Sequence, residues 1–124
     1  MAKKVLIVDD SHTIRQQVGI LLTEAGYDVL QAADGHEGIQ QIQANPDLGM
    51  VVCDVHMPDM SGLEMLRQLK EHPFDSNPPV LMLTTDATPA SVAEAREQGA
   101  RGWIMKPFKP ETLLACVRKL AGEP

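Results

Sequence analysis

A five-stranded parallel α/β sheet, doubly wound with helices on both faces, is predicted for this chain by three observations. Four short apolar runs of β type stop abruptly at polar residues. The segments between them switch to the period of a helix. Nearly every polar residue with chemical potential falls at the end of one of those runs. Alternation of strand and helix implies right-handed crossovers and a sheet covered on both sides.

The first run is Val5 to Val8, and a continuous apolar stretch of that length suits a strand buried on both faces. Ile14, Val18, Leu21, Leu22 and Ala25 then recur on one helical face, with Gly26 as the stop. A weaker strand, Val29 to Ala32, lies between Gly26 and the turn pair Asp34-Gly35. A helix over Gly35 to Asn45 leads to the third strand, Met50 to Cys53, and a further helix is expected over Ser61 to Glu71. His72 to Pro79, with Pro73, Pro78 and Pro79, reads as an extended loop. The fourth strand is Val80 to Leu83, followed by a helix over Pro89 to Gln98 that Gly99 closes. Trp103 to Met105 is the fifth strand, and the last helix carries Leu113, Leu114, Val117, Leu120 and Ala121 on one stripe, with Pro110 in its first turn.

The 124 residues are expected to form one domain without disulfides or structural metal. A net charge of −6, with no basic run longer than Lys3-Lys4, argues against direct binding of nucleic acid. No stretch has the length of a membrane span, and the start of the chain has too few apolar residues before Asp9 for a signal peptide. Cys53 and Cys116 lack metal-type spacing and read as buried hydrophobes in a reducing cytoplasm.

Asp9 and Asp10 end the first strand, Asp54 the third, Thr84 the fourth and Lys106 the fifth. Singly, each has an ordinary explanation: an acid there caps the next helix, as Asp10 or Ser11 does well, Thr84 makes a turn, and Lys106 is a solvated charge. Ligands of open α/β sheets bind outside the carboxyl ends of the strands, where strand order reverses. If the strand order is 2-1-3-4-5, that point lies between strands 1 and 3, and with strands about 4.8 Å apart Asp10 and Asp54 would be neighbours, Thr84 next beyond, and Lys106 reachable from two strands away. Three acids in one pocket need a cation, and an all-oxygen hydrated site favours magnesium over zinc or copper, with Lys106 as a second positive charge.

The motifs Val8-Asp9-Asp10-Ser11, Asp54-Val55-His56-Met57-Pro58-Asp59-Met60-Ser61-Gly62, Leu83-Thr84 and Lys106-Pro107-Phe108 resemble the receiver domains of two-component response regulators, in particular the stand-alone chemotaxis type. The resemblance covers nearly the whole chain, and it supplies the flavodoxin-like strand order 2-1-3-4-5, which the residues alone do not. It implies that Asp54 is the nucleophile toward a phosphohistidine of a sensor kinase or histidine phosphotransfer domain, forming an aspartyl phosphate. It further implies magnesium held by Asp10, Asp54 and the main-chain carbonyl of His56, with Asp9 acting through water, while Lys106 and Thr84 bind the transferred oxygens.

By the same resemblance, Thr84 draws its loop inward on phosphorylation and an aromatic on the fifth strand fills the vacated space. Trp103 stands there in place of the usual tyrosine or phenylalanine. The switched surface is the fourth helix, fifth strand and fifth helix, offered to a downstream protein by a monomer. His56 and Asp86 flank the path of attacking water and are expected to pair when His56 is charged, tuning dephosphorylation. Lys106-Pro107 is expected to be cis.

Other classes fit less well. An aspartyl phosphohydrolase carries a second Asp two residues after the first, where His56 stands. A flavin site needs a hydroxyl- and glycine-rich loop in place of Asp9-Asp10, and there is no GxGxxG or GxxxxGK[ST]. A phosphate sink, or an adaptor that works without phosphorylation, are the remaining alternatives; degenerate adaptors lose an acid or the lysine, and this chain keeps them.

Overall fold

The computed structural model describes residues 3–71, 78–86 and 88–124. Five strands, β1 (Lys4–Val8), β2 (Asp28–Ala32), β3 (Leu48–Cys53), β4 (Val80–Thr84) and β5 (Gly102–Met105), alternate with α1 (His12–Glu24), α2 (Gly35–Ala44), α3 (Gly62–Glu71), α4 (Pro89–Glu97) and α5 (Pro110–Ala121). The sheet is parallel throughout, in the order β2-β1-β3-β4-β5. The expected topology is therefore present. The loop expected over His72 to Pro79 lies mostly outside the described residues.

Strand alternation sorts the core into two layers. Leu6, Val8, Val51, Cys53 and Met82 point to one face, where Ile42 of α2, Met65, Leu66 and Leu69 of α3 and Ala95 of α4 cover them. Val5, Ile7, Val52, Leu81 and Leu83 point to the other, under Val18 and Leu22 of α1 and Leu113 and Val117 of α5. Only the three inner strands are covered on both faces. The edge strands are half-covered, and Met105 is 50% exposed, so the expectation of full burial fails for β5.

Caps explain where the helices begin. The side chains of Ser11, Asp34 and Thr88 accept from the main-chain N–H three residues on, and Ser61 does the same for Glu64 ahead of α3. Beyond α1, Gly26 adopts φ 103° and its N–H donates to the Thr23 carbonyl, closing the helix as expected. Cys53 is fully buried, and burial pushes its thiol well above the ordinary range. Cys116 is only half-buried, on the flank of α5, because its position on the helix turns partly away from the sheet.

Candidate functional site

The strand register builds the site. Val8 is level with Cys53, and the Asp54 N–H donates to the Val8 carbonyl at 3.0 Å, so the residue directly beside Asp54 is Asp9. The neighbour expected there was Asp10. Asp9 is buried, whereas Asp10 stands one step further out and is exposed. Carboxylate oxygens of Asp9, Asp10 and Asp54 nonetheless lie within 4.8 Å of one another. Lys106 directly follows β5 and is joined to Pro107 by a cis bond, and its Nζ lies 2.8 Å from Asp9 Oδ2 and 3.3 Å from Asp54 Oδ2. Thr84 is fully buried at the end of β4, where its hydroxyl accepts from the Asp86 N–H at 3.2 Å.

The loop after β3 wraps tightly over Asp54. The His56 N–H donates to Asp54 Oδ1 at 3.4 Å, and the Gly62 N–H donates to the Val55 carbonyl at 2.8 Å. Asp59 takes a positive φ of 66°, which Asp tolerates better than most residues. A Cβ on Gly62 would fall 2.1 Å from the Asp54 carbonyl oxygen, so the last position of the DxxMPxMxG motif must be glycine for the loop to close.

Burial pushes the Asp9 carboxyl up, against the Lys106 ammonium and the Ser11 N–H, which favour its charged form. Burial also works against the charge on Lys106, but Asp9 and Asp54 outweigh it and hold the ammonium above its usual range. Three carboxylates thus face one lysine, leaving an excess of negative charge in a pocket of oxygen donors. That donor set fits a hard divalent cation and offers nothing to a soft one.

The response regulator receiver domain matches residues 5–118. The chain belongs to that family. It is 36% identical over 111 residues to chemotaxis protein CheY1 of Helicobacter pylori, covering 89% of this chain and 90% of that one. It is also 36% identical over 120 residues to a CheY homolog of Campylobacter jejuni, covering 96% and 92%. Among solved structures, chemotaxis protein CheY4 of Vibrio cholerae superimposes with a TM-score of 0.89 at 41% identity, over 97% of this chain and 99% of that one. As a receiver of this type the chain is a signalling phosphoacceptor whose partner is a histidine kinase, and its acidic pocket is consistent with the metal site of the family.

Two further features of this receiver bear on the site. His56 Nε2 meets Asp86 Oδ2 at 3.2 Å across the mouth of the pocket. Asp86 also accepts from the Thr88 N–H, the Thr88 hydroxyl and the Ser91 hydroxyl, which makes it an organiser of the start of α4. The Thr88 N–H, then Ser91, hold its carboxyl below the usual range, with His56 contributing least. Trp103 is half-buried against the α4 layer, and its indole N–H is sealed from solvent without a partner among the described residues. Sequence reasoning missed Arg15, whose guanidinium donates to the Asp9 carbonyl oxygen. An arginine on the polar side of an amphipathic helix carries no signal of such a contact.

Proposed function

We propose that residues 1–124 form a single receiver domain in which Asp54 takes a phosphoryl group from a phosphohistidine of a sensor kinase or a histidine phosphotransfer domain. The observation that carries this reading is the convergence of Asp9, Asp10 and Asp54 beside Lys106. Asp54 forms the new P–O bond as the donor's P–N bond breaks, and the electron pair leaves with the imidazole nitrogen. Lys106, anchored by Asp9, binds the transferred oxygens at the edge of Asp54. The Thr84 hydroxyl accepts from Asp86, which leaves its own hydrogen free to donate to a phosphoryl oxygen. Asp10, Asp54 and the His56 carbonyl would hold magnesium, with Asp9 acting through water, and the ion would supply positive charge where two anions must approach.

The donor has to cover this edge of the sheet. An apolar groove between α1 and the loop after β5, lined by Ile14, Ile20, Leu21, Pro107 and Phe108, shares Lys106 with the pocket and is where we seat it. The signal leaves through α4, β5 and α5 to a downstream protein. Trp103 is the switch aromatic: its unpartnered buried N–H disfavours the present rotamer, and a new acidic group at Asp54 biases the Thr84 loop. The protein acts as a cytoplasmic monomer, and the chemotaxis proteins it resembles support a role in motility.

Phosphate-affinity electrophoresis after incubation with acetyl phosphate tests the reading. A shifted band is expected only with magnesium, and none in Asp54→Ala. Labelling that survives either change overturns it. The His56–Asp86 pair flanks the approach of water to the phosphoryl group without being the group that is attacked, so His56→Ala is expected to alter the decay rate of the phosphorylated form by roughly 10-fold, less than the roughly 100-fold that a group transferring the proton itself supplies. An unchanged lifetime removes the pair from that role.

A further inference from the structure

Asp9 and Asp10 leave β1 on the same turn but are held very differently. Asp9 is tied at four points. Its N–H donates to the Ala32 carbonyl at 3.1 Å, and Oδ1 accepts from the Ser11 N–H at 2.9 Å. Oδ2 accepts from Lys106 at 2.8 Å, and the main-chain carbonyl accepts from Arg15 Nη1 at 2.5 Å. Asp10 is exposed, and its carboxylate has no hydrogen-bond partner among the described residues. The aim of Asp10 is therefore set by its backbone.

The peptide unit that joins Asp9 to Asp10 is planar. Whatever fixes the direction of the Asp9 carbonyl also fixes the plane from which the Asp10 Cα and side chain emerge. Among the described residues, Arg15 is the donor to that carbonyl. Arg15 is itself held on both sides, by the first turn of α1, where its N–H donates to the Ser11 carbonyl at 3.0 Å, and by Gln31 on edge strand β2, whose Oε1 accepts from Nε at 3.3 Å. A guanidinium is a rigid fork, so a contact at Nε constrains where Nη1 points.

We infer that Arg15 is a positioning residue for the cation site: clamped by Gln31, it holds the Asp9–Asp10 peptide plane so that the untethered Asp10 carboxylate faces Asp54. The inference rests on the reading of Asp9, Asp10 and Asp54 as a magnesium site. Arg15 acts here by direction, since its partner is a neutral carbonyl. Gln31 acts only through Arg15.

Isothermal titration of the full chain with Mg2+ tests the arrangement, alongside the urea midpoint in EDTA. Arg15→Ala is expected to bind Mg2+ about 10-fold more weakly, as loss of an outer-shell support typically does, with its metal-free midpoint unchanged. Gln31→Ala loses a smaller, few-fold share, and the double variant binds no more weakly than Arg15→Ala. Arg15→Lys, which keeps the charge and loses the fork, follows Arg15→Ala. Parental affinity in Arg15→Ala, Arg15→Lys or Gln31→Ala, or losses that add in the double variant, overturns the inference while leaving the phosphoacceptor reading intact. If Arg15→Ala fails to fold, Gln31→Ala and Arg15→Lys decide by the same criteria. A parent protein that binds no Mg2+ overturns both.

Discussion

Gly62→Ala is expected to destabilise the protein by about 3 kcal/mol, the upper end for forcing a methyl group into a packed site. The new Cβ lies 2.1 Å from the Asp54 carbonyl oxygen, 3.0 Å from its carbonyl carbon and 2.9 Å from Met82 Cε. Met82 is a flexible side chain that can yield, but the Asp54 peptide cannot move without dragging β3 or the nucleophile. The same substitution therefore slows labelling of whatever fraction remains folded. Gly19→Ala is the control. Its Cβ meets nothing closer than 3.5 Å, inside a helix where alanine is favoured over glycine by about 1 kcal/mol, so it is expected to stabilise. Urea midpoints of the two variants should move in opposite directions. A Gly62→Ala protein with the parental midpoint means that the loop over Asp54 closes differently.

The inner strands were legible because burial on both faces writes a continuous apolar run into the sequence, as in Val5 to Val8 and Val80 to Leu83. The edges were harder to read. β2 alternates Asp28 and Gln31 with half-buried Val29 and Leu30, and β5 leaves Met105 exposed, so neither strand carries the full pattern. α4 buries Ala95 as its one fully covered side chain and was visible mainly through Pro89 at its start and Gly99 after its end. Strand order lay beyond the residues themselves, since nothing local to β1 records that β3 is its neighbour, and the family motifs supplied it.

At the site, the strand-end pattern predicted one edge for Asp9, Asp10, Asp54, Thr84 and Lys106, and the sheet puts all five there. Register set the finer arrangement. β1 and β3 pair with an irregularity between Lys4 and Val5 that brings Val8 level with Cys53, and so Asp9, rather than Asp10, beside Asp54. A one-residue offset cannot be read from apolar runs that are buried on both faces, because either register keeps them buried. The Arg15 contact was illegible for a related reason: it depends on how α1 sits on β1 and β2.

Lys106→Met separates the two positive charges of the pocket. Methionine keeps the apolar stem and removes the ammonium that now bonds both Asp9 and Asp54. Without metal, two buried carboxylates are left facing each other, and the loss is expected to be on the order of 3 kcal/mol, the lower end for breaking a buried ion pair. Magnesium should recover much of it, because the pocket has lost a competing cation, so Lys106→Met is expected to bind Mg2+ more tightly than the parent. Phosphorylation by acetyl phosphate should nonetheless slow by about 100-fold, as when one donor to a developing charge is removed. Tighter metal with slower transfer can arise only if Lys106 acts on the moving phosphoryl oxygens and not merely as a counter-ion. Weaker metal binding in Lys106→Met would instead mean that the lysine orders Asp9 and Asp54 for the cation, and equal labelling rates would mean that the carboxylates and the metal carry the transfer without it.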